Sequence, residues 1–291
     1  MPHLTAGRIA TYVILGVWSI VCLFPVYWLV ITAFKSAADV ERGPYFLPFL
    51  DFTPVLDAWR FVLIDSSDRL LNRFFNSCVI AAASASLALL FGSMAVYALT
   101  RFNYRLPGHK SKSANRLLMF SFLATRLLPP VVLALPLYMM AKFTGTLDTH
   151  LALIVTYTSI NLPVAIWLLH PVFGTTRSEQ EEAALLDGAS HLTIFFTIVV
   201  PMLAGGIAAV GSLVFILCMN EYLLAAYLAT SHAMTLPPWI VGQIAIKEGQ
   251  VASPAEEWAN FSASAVLLIL PLLAFAGLAQ RVLSHAVARR R

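Results

Sequence analysis

Uncharged runs near or beyond 20 residues, set apart by clusters of charge, dominate the pattern along this chain. An α-helix rises about 1.5 Å per residue, so roughly 20 apolar residues cross about 30 Å of hydrocarbon. Six spans are predicted on that basis: Thr11 to Ala33, Asn76 to Leu99, Leu117 to Ala141, Leu151 to Phe173, Pro201 to Tyr222 and Trp258 to Gln280. Between them lie a long first loop from Lys35 to Phe75, a basic loop from Arg101 to Arg116 and a tight turn at Lys142 to His150. A polar, helix-like loop from Gly174 to Val200 and a Pro-bearing stretch near Ala229 to Glu257 complete the order. Leu223 to Ile246 is uncharged too, but Thr230, Ser231 and His232 interrupt it and Pro237-Pro238 removes two backbone donors. In lipid that leaves helix carbonyls unsatisfied, so the stretch reads as the end of the fifth helix plus an outer-face or re-entrant segment. Ala10 to Phe34 is 25 residues without a charge, longer than the roughly 7–15 of a signal-peptide core, and reads as a retained first helix.

Composition agrees with an all-α membrane protein. Hydrophobic residues make up 59% of the 291 and charged ones 12%, with a mean hydropathy of +0.78, far from the soluble average. The net charge of +4 does not point to nucleic acid, because the basic residues sit at the ends of apolar runs and form no aromatic-rich patch. Their asymmetry sets an expected orientation. Arg101, Arg105, Lys110, Lys112 and Arg116 crowd the second loop without an acid, whereas the turn at Lys142 to His150 carries one lysine. With the second loop in the cytoplasm, both termini are cytoplasmic, including Arg8, Arg281 and the tail Arg289-Arg290-Arg291. The Gly174 to Val200 loop is then cytoplasmic as well. The expected division is 1–75 for the first helix and outer loop, 76–282 for a five-helix core with a loop at 174–200, and 283–291 for a basic tail. Cys22, Cys78 and Cys218 all fall in apolar runs without metal-ligand spacing, so no disulfide framework or metal site is implied.

The loop between the fourth and fifth spans carries the most information. Ser178 and Glu181 have the spacing of a capping box, which predicts a helix start. Ala183, Leu186 and Gly188 follow as a small-residue surface beside acidic Glu179, Glu181 and Glu182. Gly188 suits a left-handed turn or the close approach of another chain, and Ser190 suits the cap of a second helix running toward Pro201. Glu182-Ala183-Ala184, three residues, Gly188, nine residues and Ile198-Val199-Val200-Pro201 resemble the EAA signature of ABC importer permeases, with Val200 where Leu is usual.

The resemblance runs from the first helix to the last and is nearest the carbohydrate-uptake permeases. Arg126-Leu-Leu-Pro-Pro130 and Leu135-Pro-Leu-Tyr138 are similar to their third helix, Asn161-Leu-Pro163 to their fourth and Asn220-Glu221 to their fifth. It implies a type I importer permease of about six transmembrane helices in the bacterial cytoplasmic (inner) membrane. The loop from Glu182 through Asp187 to Gly188, with Ile198 and Pro201, would form a coupling helix docked on a cytoplasmic ATPase. It further implies a second permease subunit, a dimer of ATP-binding subunits carrying ATP and Mg, an extracytoplasmic solute-binding protein, and a sugar, polyol or modified sugar as cargo.

Candidate pathway residues follow from chemistry. Arg126, a charge inside a span, must face protein or water; it binds sugar hydroxyls or an anionic substituent, or else caps backbone freed by Pro129 and Pro130. Those prolines, with Pro136, either break the helix to line a cavity or merely kink it. Tyr157 and Asn161 share a helix face and offer stacking and a polar contact to a sugar, or pack the helices. Glu221, beside Asn220, is either a proton relay or a structural hydrogen-bonding group. His170 and His191 lack ligand spacing. No phosphate-cradling GxxxxGK[ST] motif is present, so ATP chemistry must come from a separate chain, and no paired carboxylates or nucleophile elbow suggest an enzyme. The competing reading is an ion-gradient-driven secondary transporter, for which Arg126 and Glu221 are the available ionisable groups.

Overall fold

A computed structural model describes residues 6–102, 104, 111–174, 179–242 and 254–288. Long helices dominate, because a helix alone satisfies its own backbone donors and acceptors within one apolar segment. In chain order they are α1 (Ala6–Thr32), α2 (Ala37–Arg42), α3 (Asp57–Arg60, continued by a π-turn at Phe61–Asp65), α4 (Ser67–Arg101), α5 (Ser111–Thr125), α6 (Pro130–Phe143) and α7 (His150–Gly174). There follow α8 (Glu179–Leu186), α9 (His191–Ile194, continued by a π-turn at Phe195–Val199), α10 (Val200–Met219), α11 (Leu223–Leu228), α12 (Leu236–Gly242) and α13 (Pro254–Ala288). Among the described residues the extended structure is one isolated bridge, Pro48 with Phe52.

Four segments are long and apolar enough to cross a membrane: Ala10–Thr32, Ser67–Arg101, His150–Gly174 and His191–Met219. The expected third span departs from a single rod. Its halves, α5 and α6, meet at 81° across a break of four residues. Pro129 and Pro130 cause it: neither supplies an N–H, and Pro130 fits the first turn of α6, where that donor would be orphaned anyway. The expected sixth span lies within the 35-residue α13. Leu223 to Ile246 forms no long helix among its described residues, and Pro237 and Pro238 occupy the first turn of α12.

The chain divides into two compact units. One comprises Met1–Leu71 with Trp239–Leu270, the other Asn72–Pro238 with Pro271–Arg291. In the first, α1 leaves its middle turns, from Tyr12 to Tyr27, open on every side. The segment after α2 is folded by Asp51, whose carboxylate accepts from the N–H groups of Phe46 and Leu47 at 2.8 Å each.

In the second unit α10 packs along α7, with α4 against both. Lipid tails are as apolar as leucine, so close approach and interhelical hydrogen bonds hold such bundles together. Ser84 on α4 donates to the Ile154 carbonyl of α7 at 3.3 Å, and Thr158 returns the contact to Ser84 at 3.5 Å. A Cβ on Gly206 of α10 would stand 2.4 Å from Val172 Cγ1 of α7, and one on Gly211 would stand 2.7 Å from Leu89 Cδ1 of α4.

Asp148, in the turn before α7, organises the connection between α11 and α12. Its carboxylate accepts from four consecutive N–H groups, Thr230, Ser231, His232 and Ala233, at 2.9–3.1 Å. Asn76 of α4 donates to the carbonyls of His232 and Met234, while its own oxygen meets His150 Nε2 at 2.8 Å. Ser77 accepts from Leu236 N–H at 2.7 Å. Arg73 also reaches the Ser231 carbonyl. Side chains thus replace the backbone partners that an uninterrupted helix would have supplied.

Gly206→Ala should cost roughly 1–3 kcal/mol of stability in detergent, because the facing valine is β-branched and stiff. Gly211→Ala should cost less, since the tip of Leu89 can rotate away; thermal denaturation of the two variants checks the order. Partial burial raises the Asp148 carboxyl, but the four amide donors more than offset that and hold it below the ordinary carboxylate range. Its stabilisation is therefore complete above the unfolded value of about 4 and is lost as pH falls through the lower folded value. Protease cleavage between Thr230 and Thr235 should rise over that acid window, and Asp148→Asn should show the raised cleavage already at pH 7.

Candidate functional site

The segment from Glu179 to Pro201 forms the two short helices expected of it. Helix α8 stops at Gly188, whose φ of +83° lies in the left-handed region. Ala189 N–H bonds the Ala184 carbonyl at 2.9 Å and Gly188 N–H bonds that of Leu185 at 3.1 Å. This nested pair is the Schellman arrangement, which satisfies the last carbonyls of a helix and requires a residue without a Cβ penalty at the turn. Ser190 then caps α9, its Oγ accepting from Thr193 N–H at 3.2 Å. The helix continues through the π-turn into α10. Pro201 stands one turn further on, and its missing N–H together with its ring loosens the i to i−4 ladder there into the wider turn. Ile198 lies on that π-turn.

Glu182, Ala183, Asp187 and Gly188 are solvent-exposed, Ala184 less so. Leu186 is 90% exposed at the tip, beside Leu185 and, across the turn, Leu192. Among the described residues, and its chain neighbours apart, nothing stands within 4 Å of where a Gly188 side chain would begin. The tip is therefore apolar and flanked by the exposed carboxylates of Glu182 and Asp187.

One member of the expected acidic face is not on it. Glu181 is buried, and its two oxygens accept from Arg101 Nε at 2.9 Å and Nη2 at 2.7 Å. This bidentate pair ties α8 to the last residue of α4. Ser178, the other half of the expected capping box, lies outside the described residues. Two ring contacts join the same end of α4 to α9 and its π-turn: Tyr97 of α4 with Phe195 at 5.3 Å, and Phe102 with His191 at 5.0 Å edge-on. Asn115 of α5 completes the α4 terminus, its amide donating to the Leu99 and Phe102 carbonyls at 2.8 and 2.7 Å and its oxygen accepting from Tyr104 N–H. The spacing of Tyr97, Arg101 and Phe102, four and five residues apart, puts all three toward one side of a helix end; that was the available signal for this anchor. Arg105, Lys110 and the tail at 289–291 lie outside the described residues.

The pathway candidates fall on α7, at the α5–α6 break and just past the end of α10. Arg126 sits in the break between α5 and α6, exposed, with Nη1 donating to the Ile160 carbonyl of α7 at 3.0 Å. Ile160 follows Ser159, whose carbonyl is the one that Pro163 leaves without its i+4 donor. Arg126 therefore caps backbone, but on α7 and not the turn freed by Pro129 and Pro130. Pro130 is exposed at the start of α6. Tyr157 and Asn161 do share a face, turned inward: both are buried, with Tyr157 OH donating to the Glu221 carbonyl at 3.3 Å and Asn161 Nδ2 reaching the Tyr157 carbonyl and Cys218 Sγ. Asn220 folds back on the Ile216 carbonyl at 2.8 Å. The Glu221 carboxylate accepts from Leu224 N–H at 3.0 Å, starting α11. Hydrogen bonds thus bring Tyr157, Asn161 and the Glu221 backbone together where α7 meets the end of α10.

A family model described as a binding-protein-dependent transport system inner membrane component matches residues 105–289. The chain is 32% identical over 267 residues to a probable ABC transporter permease protein of Sinorhizobium fredii, covering 92% of this chain and 89% of the relative. It is 28% identical over 284 residues to a diacetylchitobiose uptake system permease protein of Streptomyces coelicolor, covering 96% and 87%. Among solved structures, a chain of a bacterial ABC transporter involved in the import of the acidic polysaccharide alginate superposes with a TM-score of 0.72, covering 97% of this chain and 99% of that one. Their identity is 20%, so this likeness is one of fold.

Arg101→Gln should deprive the buried Glu181 carboxylate of its bidentate cation, at a local cost on the order of 3 kcal/mol. Amide hydrogen exchange across Glu179–Leu186 should accelerate accordingly. Adding Glu181→Gln should restore most of the protection, since two neutral amides hydrogen-bond where a lone carboxylate is stranded.

Proposed function

Because the chain belongs to the family of binding-protein-dependent transport system inner membrane components, we propose that it couples ATP hydrolysis on a separate subunit to the import of a sugar, polyol or modified sugar. It is a multi-pass inner-membrane permease subunit of an ABC importer. The observation that carries the coupling role is the exposed tip between α8 and α9, turned by the left-handed Gly188 and held on the end of α4 by Arg101 and Glu181.

In this reading Glu182, Ala183, Ala184, Asp187 and Gly188 seat in a cytoplasmic ATPase dimer that carries the ATP and Mg. Ile198 and Pro201 pass its movement into α10. The bundle does not hydrolyse ATP itself. A rigid loop would transmit force in two directions: into α10 through the continuous α9 helix, and into α4 through the ion pair. A second permease, more naturally a different chain, would complete the pathway, and an extracytoplasmic binding protein would deliver the solute. The carbohydrate class is supported by the diacetylchitobiose relative and by the helix motifs around Arg126 and Asn161.

The ion-driven alternative is less well supported. Both of its candidate groups are engaged in structural hydrogen bonds, Arg126 with a carbonyl and Glu221 with an N–H. Arg126, Pro130, Asn220 and Glu221 stay candidates for the pathway at breaks between helices, where backbone irregularity lines transporter cavities. Tyr157 and Asn161 would act there indirectly, by fixing α7 against α10.

The test is to purify the tagged chain in mild detergent after expression with its neighbouring genes, identify its companions and measure ATPase activity. A P-loop ATPase should co-purify and turn over ATP. Gly188→Trp should abolish solute-stimulated hydrolysis and uptake while membrane insertion stays at the wild-type level. The left-handed turn alone costs a β-carbon-bearing residue about 1–2 kcal/mol, so Gly188→Ala should retain partial activity. Normal uptake by the tryptophan variant would sink the coupling role.

A further inference from the structure

Within the first unit, a cavity of about 330 Å³ opens between the end of α1, α2 and the first turns of α13. That volume is at the low end of the range for small-molecule sites, about 300–1,000 Å³. Its walls are graded. Thr32, Lys35 and Ser262 are buried, whereas Trp28 and Phe261 are partly open and Trp258 is half exposed.

Lys35 is the unusual member, with 3% of its surface exposed. Among the described residues no carboxylate lies within 4 Å of its ammonium, which rests on ring faces, 4.2 Å from the Trp28 centroid and 5.3 Å from that of Phe52. The two acids that act on it from further away, Asp39 and Asp51, are engaged elsewhere. Asp39 accepts from Ser36 Oγ at 2.6 Å and Asp51 from two backbone N–H groups. Burial holds the amine below the ordinary lysine range in spite of them. An anion in the cavity would supply the missing counter-charge.

The hydroxyls narrow the chemistry further. Thr32 Oγ1 donates its proton to the Trp28 carbonyl at 2.8 Å, and Ser262 Oγ donates to that of Trp258 at 2.7 Å. Both keep lone pairs open to the cavity while so engaged, which suits a ligand that brings O–H donors of its own. The fitting ligand is an anion that also carries hydroxyls. Two sources share that chemistry, a phosphodiester lipid with a polyol headgroup and a free sugar acid.

Position decides between them. Lys35 follows the apolar span Ala10–Thr32 by three residues, and Trp28 and Trp258 are amphipathic rings of the kind that sit at headgroup level. Below them, Phe24, Val21 and Val17 are exposed along α1, a bed for an acyl chain. We infer that this cavity binds the headgroup of an anionic glycerol phospholipid, its phosphate on Lys35 and its glycerol hydroxyls on Thr32 and Ser262.

The test is native mass spectrometry on the purified chain with its co-purifying subunits, delipidated and then offered defined lipids. Phosphatidylglycerol should be retained and phosphatidylcholine should not. Lys35→Met keeps the aliphatic stem on the aromatic rings but should lower retention about five- to tenfold, the loss of one lysine–phosphate contact. Lys35→Arg should preserve it. Ser262→Ala should leave the charge in place and erase the preference for phosphatidylglycerol over phosphatidic acid, whose phosphate carries no headgroup glycerol. Equal phosphatidylglycerol retention by wild type and Lys35→Met would overturn the site. So would thermal protection by millimolar glucuronate without added lipid, if abolished by Lys35→Met, because the cavity would then belong to a soluble acid. Lipid retention is read without transport, so its failure and that of the importer reading are separable.

Discussion

In hydrocarbon no water is available to a backbone N–H or C=O, and each helix interruption must find its partners within the protein. The second unit is organised around meeting that demand. Where prolines open α7, a guanidinium from the α5–α6 break reaches a carbonyl. Where α4 ends, the amide of Asn115 takes its last carbonyls. Where α11 gives way to α12, one aspartate accepts four successive amides. At these points the irregular backbone finds partners in side chains that come from distant parts of the chain. Each of these contacts joins two elements, so the same groups that satisfy the backbone also set helix positions.

The exposed tip at Gly188 gains its meaning from this arrangement. A short helix of eight residues has little stability of its own. A bidentate ion pair ties it to the end of α4, and two ring contacts tie the helix after Ser190 to the same end before that helix passes without a gap into α10. Force applied at the tip therefore enters the bundle at two helices that both pack against α7. The π-turn before Pro201 is the softest point on that route, since its wider hydrogen-bond ring tolerates bending better than an α-helical turn. Rigid attachment to α4 with some compliance toward α10 would let the bundle rotate about one side.

Uncharged runs were enough to identify the membrane class and to locate helices, because crossing hydrocarbon imposes a length and a composition that local sequence must carry. The two-helix loop was legible for a similar reason. Gly188 and Ser190 act through contacts within five residues of themselves, and such local hydrogen bonds depend little on the rest of the fold. The spacing of the signature carried the family. Proline pairs marked where helices would be interrupted, but not by how much: the 81° turn between α5 and α6 depends on what each half packs against.

What the sequence could not supply was partnership across long separations. Glu181 reads as one more acid on a surface helix until Arg101, eighty residues earlier, is brought beside it. Asp148 reads as a turn residue until the amides of Thr230 to Ala233 converge on it, and Lys35 as an ordinary interfacial lysine until Trp28, Phe52 and α13 close around it. Tyr157 and Asn161 share a face by periodicity, yet only packing decided that this face turns toward α10. By itself the sequence determined the class, the approximate place of the helices, the turn at Gly188 and the family, all set by local composition and spacing. Tertiary structure alone decided which charges are buried and with whom, because the sign and strength of an ionic contact depend on distance and desolvation, and neither is encoded near the residue concerned.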